Sequence, residues 1–292
     1  MMPIVIGHRG ARGVLPENTL EGFAFCHAIG VSAIEFDVHP SAEGVPVVTH
    51  DPRPNPALVR DEAGRWLDAP QPLVCETPLA RLKAFDVGAL RPGSDYGARF
   101  PDQAVVKGCR IPTLAEVMEA APPDARLVIE VKSDPSDPVH AAAALTCARA
   151  VCGLLDGHPL SAGAVIQSFD WRVLALAREI SPGLTRAHLT FADPHAGADT
   201  TLYPGSPWLT GPYLADTAAM VAGQGGQIWA SWHATLDAAA MARARAAGVQ
   251  VFVWTVNDPD DILRMIDLGV DGIITDYPGR VQRLLAALAA GV

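Results

Sequence analysis

A (β/α)8 barrel is the fold class this sequence predicts, and three observations predict it. Short apolar runs alternate with helix-period patterns along the whole chain. About nine such runs fit within 292 residues, which suits a closed parallel sheet better than an open one. Polar side chains also follow several of the runs directly, at the strand ends where such barrels gather their functional groups. An open doubly wound sheet is the second choice.

The elements follow in order. Residues 3–7 read as the first strand. Asn18 then caps a helix, with Glu21 three positions on as a capping box, and Gly30 ends it. Residues 32–38 and 45–49 are the second and third strands. Residues 127–132 alternate strictly, and residues 164–168 lead to Asp170 as a helix cap. Residues 184–190 and 227–230 are less marked. A helix over 235–247 closes at Gly248, before a strand over 250–255. Asp258 and Pro259 stand at cap and first helical position, Gly269 stops that helix, and residues 272–275 precede an Ala/Leu-rich terminal helix. The count exceeds a simple barrel by one. The link 39–44 is too short for a crossover helix, so one unit must be irregular.

One stretch breaks the rhythm. Residues 52–110 are rich in Pro, Gly and charge and carry few element signals beyond 78–85. A loop of that length serves a site more often than not. It reads as an inserted subdomain or lid after the third strand of a single catalytic domain, 1–292. Trp66, Phe85, Tyr96 and Phe100 are its candidate small core.

Composition narrows the class. Hydrophobic residues make up 49% and charged residues 18%, enough apolar surface for a sizeable core and too little charge for disorder. A formal net charge of −10 argues against a nucleic-acid partner. It leaves a small anionic substrate open, because such a ligand answers to local charge. Five cysteines without a C-x-x-C pair indicate neither a disulfide framework nor a zinc site. The start of the chain has no signal-peptide pattern and no run reads as a membrane span, so a cytoplasmic protein without stable membrane insertion is expected.

The chemistry lies in a few stretches. In Ala33-Ile34-Glu35-Phe36-Asp37-Val38, period two sets Ile34, Phe36 and Val38 on one face and Glu35 and Asp37 on the other. Glu130 and Lys132 share a face by the same argument. Three inward acids, Glu35, Asp37 and Glu130, then meet two cations, Arg9 and Lys132. A salt-bridge network is one account, but it leaves a buried negative charge uncompensated. A divalent cation is the better account. Oxygen-only ligands suit Mg²⁺ or Ca²⁺. With the ion the site carries one net positive charge, which a phosphodiester neutralises. His8 and His50 each follow a strand and suit general acid and base work. Arg9 presents a planar fork to phosphate oxygens and Lys132 a point charge.

These residues together resemble the glycerophosphodiester phosphodiesterase family, whose barrel is related to that of phosphatidylinositol-specific phospholipases. The matching pieces are HRGARGVLPENTLEGF, IEFDV, VVTHD, IEVK, QSFDW, FVWTVNDPDD and DGIITDYP, in the family's order over residues 6–278. The turn Ser41-Ala42-Glu43-Gly44 departs from the family's usual threonine and aspartate. The resemblance implies a TIM barrel with an insertion after its third strand and one bound divalent cation. It matches Glu35, Asp37 and Glu130 to metal ligands, His8 and His50 to the acid/base pair, and Arg9 and Lys132 to phosphate contacts. Glu17, Gln167, Phe169 and Trp254 match positions near the substrate. The implied reaction converts a small glycerophosphodiester to sn-glycerol 3-phosphate and an alcohol, with the substrate's 2-hydroxyl attacking phosphorus first. Rival readings are a lysophospholipase D or sphingomyelinase D-like activity and a non-catalytic metabolite-binding barrel.

Overall fold

The structure is a computed structural model that describes residues 2–68, 71–191 and 216–291. Its elements in chain order are β1 (Ile4–His8), α1 (Leu20–Ala28), β2 (Ala33–Pro40), β3 (Pro46–Val48), α2 (Leu79–Ala84), α3 (Asp95–Ala98), α4 (Leu114–Ala120), β4 (Arg126–Val131) and α5 (Pro138–Leu155). There follow β5 (Val165–Ser168), α6 (Trp171–Ile180), β6 (Thr185–Thr190), α7 (Thr217–Gly223), β7 (Ile228–Trp232), α8 (Ala238–Ala246), β8 (Gln250–Trp254), α9 (Pro259–Leu268), β9 (Gly272–Thr275) and α10 (Pro278–Ala290).

Eight parallel strands, all but β3, close into a barrel through pairing of β1 with both β2 and β9. The surplus ninth strand explains itself. β2 runs on past the barrel rim, turns at Gly44 (φ +81°), and returns as β3, antiparallel to it. β3 is therefore a flap on the rim, and residues 52–110 leave from that flap between the second and third barrel strands.

Two apolar layers hold the barrel. Its interior is filled by Ile6, Ala33, Val128, Val165, Ala187, Leu189, Ile228, Ala230, Phe252 and Ile274. The opposite strand faces, among them Ile34, Phe36, Val38, Leu127, Ile129, Val131, Val251 and Val253, pack against the surrounding helices. Burial on both faces is what a parallel sheet requires.

Three local expectations change. Thr19, not Asn18, caps α1, accepting from the Gly22 N–H; Asn18 takes a left-handed φ of +56° and turns its amide to Asp37 instead. The helix expected over 235–247 begins at Ala238, capped by Asp237. α5 is by length and composition apolar enough to cross a membrane, contrary to the expectation for the sequence. Its residues Ala144, Cys147, Ala148, Val151 and Cys152 are buried in the layer between sheet and helices.

The 52–110 stretch has its own packing. Val59, Val74, Leu82 and Phe85 join Val47 of β3 and Ile111 in a small aliphatic core. Of the four aromatic residues expected there, only Phe85 belongs to it. Trp66 lies under the Arg60 guanidinium, and Tyr96 packs on Phe100 at 5.7 Å, facing the barrel mouth.

Candidate active site

Strand register assembles the mouth. His8 lies beside Glu35, Asp37 beside Glu130, and Glu130 beside Gln167 across four adjacent strands. These side chains form the layer above the apolar filling, at the C-terminal end of the barrel. His8, Arg9, Glu35, His50, Glu130, Lys132, Gln167, Phe169 and Trp254 line one cavity of about 370 Å³. Asp37 and Glu17 stand one layer behind its wall. His50 arrives by a different route from the expected strand end: Thr49 N–H binds the Asp37 carbonyl, so the returning flap delivers His50 back to the mouth.

The two histidines are built alike. His8 Nδ1 lies 2.7 Å from Asp276 Oδ1, and His50 Nδ1 lies 2.7 Å from Asp51 Oδ1. Burial above all, aided by Arg12, pushes His8 down to about 4 against the pull of Asp276. Burial, then Lys132 and Arg9, also lowers His50. His8 is thus neutral near pH 7. With Nδ1–H donated to Asp276, the His8 Nε2 keeps a lone pair for chemistry, and with Nδ1 held by Asp51 the His50 Nε2 is left to take up or release a proton. Asp276 is itself fixed by Arg12, which donates to both carboxylate oxygens at 2.8 and 3.0 Å, and by Asn257 Nδ2 at 2.7 Å. Asn55 Nδ2 holds Asp51 at 2.6 Å.

Glu35, Asp37 and Glu130 bring carboxylate oxygens within 4.8 Å of one another. Their partners differ. Glu35 accepts from Gln167 Nε2 at 3.0 Å and from the Arg9 N–H at 3.1 Å. The latter bond needs Arg9 at a left-handed φ of +50°, a costly backbone for a non-glycine residue and a sign of a site held under constraint. Glu130 accepts from Lys132 Nζ at 2.7 Å, and Asp37 accepts from Asn18 at 3.0 Å with Arg9 Nε 3.3 Å away.

The charge balance is more acidic than the sequence suggested. Glu17 and Asp276 join the three acids, and Arg12 joins the two cations, so five buried carboxylates face three permanent cations. Burial, then Asp37 and Glu130, hold the Glu35 carboxyl well above the usual range. Burial opposes ionisation of Asp37 too, but Arg9, His50 and Lys132 outweigh it and keep that group well below its ordinary value. The buried Gln167 Oε1 beside the trio has no hydrogen-bond partner. An all-oxygen cluster with surplus negative charge and an orphaned amide oxygen fits a hard divalent cation, whose charge closes the deficit.

The remaining site residues form two flanks. Glu17 Oε1 accepts from Arg9 Nη1 at 2.8 Å, and Tyr96 of α3 donates to Glu17 Oε2. On the other side Phe169 meets Trp254 edge-on at 5.4 Å, Phe191 stacks on Trp254 at 6.2 Å, and Trp232 packs tilted against Phe191. Asp51, Asp276, Arg12, Asn257 and Tyr96 were not singled out as site residues from the sequence. Asp51 adjoins His50, and Asp276 follows the last strand, so both stood within recognisable motifs. Tyr96 carried no comparable signal.

A family model described as "Glycerophosphoryl diester phosphodiesterase family" matches residues 8–280. A crystal structure from Silicibacter pomeroyi, provisionally named a glycerophosphoryl diester phosphodiesterase, is 40% identical with a TM-score of 0.86, covering 99% of this chain and 94% of that one. A phosphodiesterase from Oleispira antarctica, solved with the product sn-glycerol-3-phosphate, is 25% identical with a TM-score of 0.72, covering 98% and 97%. Among curated sequences, a glycerophosphodiester phosphodiesterase of Caldanaerobacter subterraneus is 28% identical over 98% of each chain.

Proposed function

Because the chain belongs to the glycerophosphoryl diester phosphodiesterase family, we propose that it hydrolyses small glycerophosphodiesters to sn-glycerol 3-phosphate and an alcohol, at a divalent cation held by Glu35, Asp37 and Glu130. The observation that carries this reading is the pair of Asp-oriented histidines facing one cavity with the acidic trio between them. The product complex of the Oleispira antarctica relative supports the substrate class.

The residues divide the work. When bound, a Mg²⁺ or Ca²⁺ ion supplies positive charge that polarises a phosphoryl oxygen and acidifies a hydroxyl beside it. Arg9 and Lys132 hold the remaining phosphoryl oxygens and steady the charge that develops there. His8, with a side chain only 12% exposed, takes the proton from the attacking 2-hydroxyl on its Nε2. The oxygen–phosphorus bond forms as the bond to the leaving alcohol breaks, and His50, which enters the step as the imidazolium paired with Asp51, gives that alcohol its Nε2 proton. His50 is the more exposed ring at 32% and sits where an alcohol can leave. Water then reopens the cyclic phosphate with the roles reversed. Phe169 and Trp254 offer the alcohol arm an apolar wall. The apolar side of α5 is spent on the barrel and is not free to enter a bilayer; the proposed setting is cytoplasmic and the proposed substrate a soluble diester.

The test is release of glycerol 3-phosphate from glycerophosphocholine and related diesters, with and without chelator. Turnover that chelator abolishes and Mg²⁺ or Ca²⁺ restores is expected. No release from any diester in any of the ions overturns the reading.

A further inference from the structure

We propose that Tyr96 is a positioning residue for this reaction, through which the 52–110 excursion sets Arg9 and, by way of Arg12 and Asp276, His8. The proposal rests on the phosphodiesterase reading of the site and adds a residue to it. It begins with how the ring is held. Ser94 caps α3 by accepting from Gly97 N–H at 3.0 Å. Phe100 flanks the Tyr96 ring, and the Arg99 guanidinium covers both rings at 5.6 and 5.7 Å. Phe100 is buried and carries Arg12 on its face at 4.7 Å.

The hydroxyl then has a defined direction. Burial, then Glu17, push the phenol well above its ordinary value, so it keeps its proton. Glu17 accepts that proton's hydrogen bond and remains a carboxylate. The phenol oxygen is left to accept, and two guanidinium groups face it: Arg9 Nη1 at 3.5 Å and Arg12 Nη1 at 3.4 Å. Like charges at such separation repel, and an oxygen between them offsets part of the cost.

From there two paths reach the reacting groups. Glu17 grips Arg9, the phosphate contact, directly. Arg12 spends its other N–H groups on Asp276, whose Oδ1 also holds His8 Nδ1. One hydroxyl from the excursion thus bears on both the anion clamp and the base. Tyr96 acts through these groups, and misplacement of a reacting group by a fraction of an ångström is costly in rate.

Tyr96→Phe keeps the ring and removes only the hydroxyl. The expected result is a kcat about tenfold lower with KM within about threefold, and an unchanged affinity for Mg²⁺ or Ca²⁺ by calorimetry. In a double-mutant cycle with Glu17→Gln the two losses should fall well short of additive. A wild-type kcat in Tyr96→Phe, or strict additivity with Glu17→Gln, overturns the proposal. Should Tyr96→Phe also melt earlier, the cycle still decides, since a packing loss adds to the loss at Glu17 and a shared bond does not. Wild-type protein inert toward every glycerophosphodiester would sink the functional reading instead. Inorganic phosphate binding then serves as the probe: weaker binding to Tyr96→Phe upholds the link to Arg9, and equal binding removes it.

Discussion

The two histidine dyads reach the same geometry by opposite constructions. His8 ends β1, and its aspartate, Asp276, follows β9, 268 residues away in sequence but on the adjacent strand. That dyad is part of the barrel closure, with Arg12 and Asn257 locking the carboxylate. His50 pairs with its sequence neighbour Asp51 on the rim flap, and both side chains are about one-third exposed. Parallel strands of the barrel fix the first ring, while an antiparallel hairpin on the rim carries the second. The difference teaches that a barrel can hold one histidine–aspartate pair buried in its wall and leave a second, nearer solvent, to an excursion.

The largest test removes each ring. His8→Ala and His50→Ala should each lower kcat by about a thousandfold, within the range for a lost general acid or base. Melting should stay near wild type. Full activity in either variant removes that ring from the mechanism.

Next come the carboxylates, where the two dyads should part. Asp276→Asn presents an amide to Arg12 and His8 and should cost about a hundredfold or more in kcat, as loss of an orienting carboxylate does elsewhere. Asp51→Asn should cost about tenfold. Equal losses in the two would erase the proposed contrast.

The cation should act on stability as well as rate. Mg²⁺ or Ca²⁺ at a hundredfold excess over its Kd should stabilise the fold by about 2.7 kcal/mol, read as a rise in Tm that Glu35→Gln abolishes. A Tm indifferent to both ions would falsify the trio as their site.

The smallest effect lies outside the mouth. Burial pushes His39 and His188 down to about 3, from an ordinary 6.5. Between those values the unfolded chain binds more protons than the native one, so each ring costs stability as pH falls below 6.5, by about 1 kcal/mol for the first unit. Melting curves from pH 7.5 to 5.5 should show the decline, and His188→Leu should flatten it. His188 packs against Trp171 on the helix side of β6, so this change should leave kcat alone and serve as the control for both dyads.

Much of the site was legible because its signals are local. Period two placed Glu35, Asp37 and Glu130 inward without reference to any other strand, and His8 and His50 announced themselves at the ends of apolar runs. Apart from Asp51, the neighbour of His50, what escaped depends on partners far along the chain. Asp276 acquires its role only when β9 pairs with β1. Tyr96 acquires its role only when α3 folds back on Glu17, 79 residues earlier. The surplus strand was visible as a miscount, and its identity as a rim flap required the register of β2 with β3.

The amino-acid order by itself determined the alternation of strands and helices, the inward face of each strand, and the identity of the acids and imidazoles, because side-chain periodicity and capping act over a few residues. Tertiary structure alone decided which aspartate serves which histidine, how many carboxylates share the mouth, and that an excursion supplies a hydroxyl to it. Those outcomes follow from barrel closure and strand register, which bring together groups whose separation in sequence carries no trace of their contact.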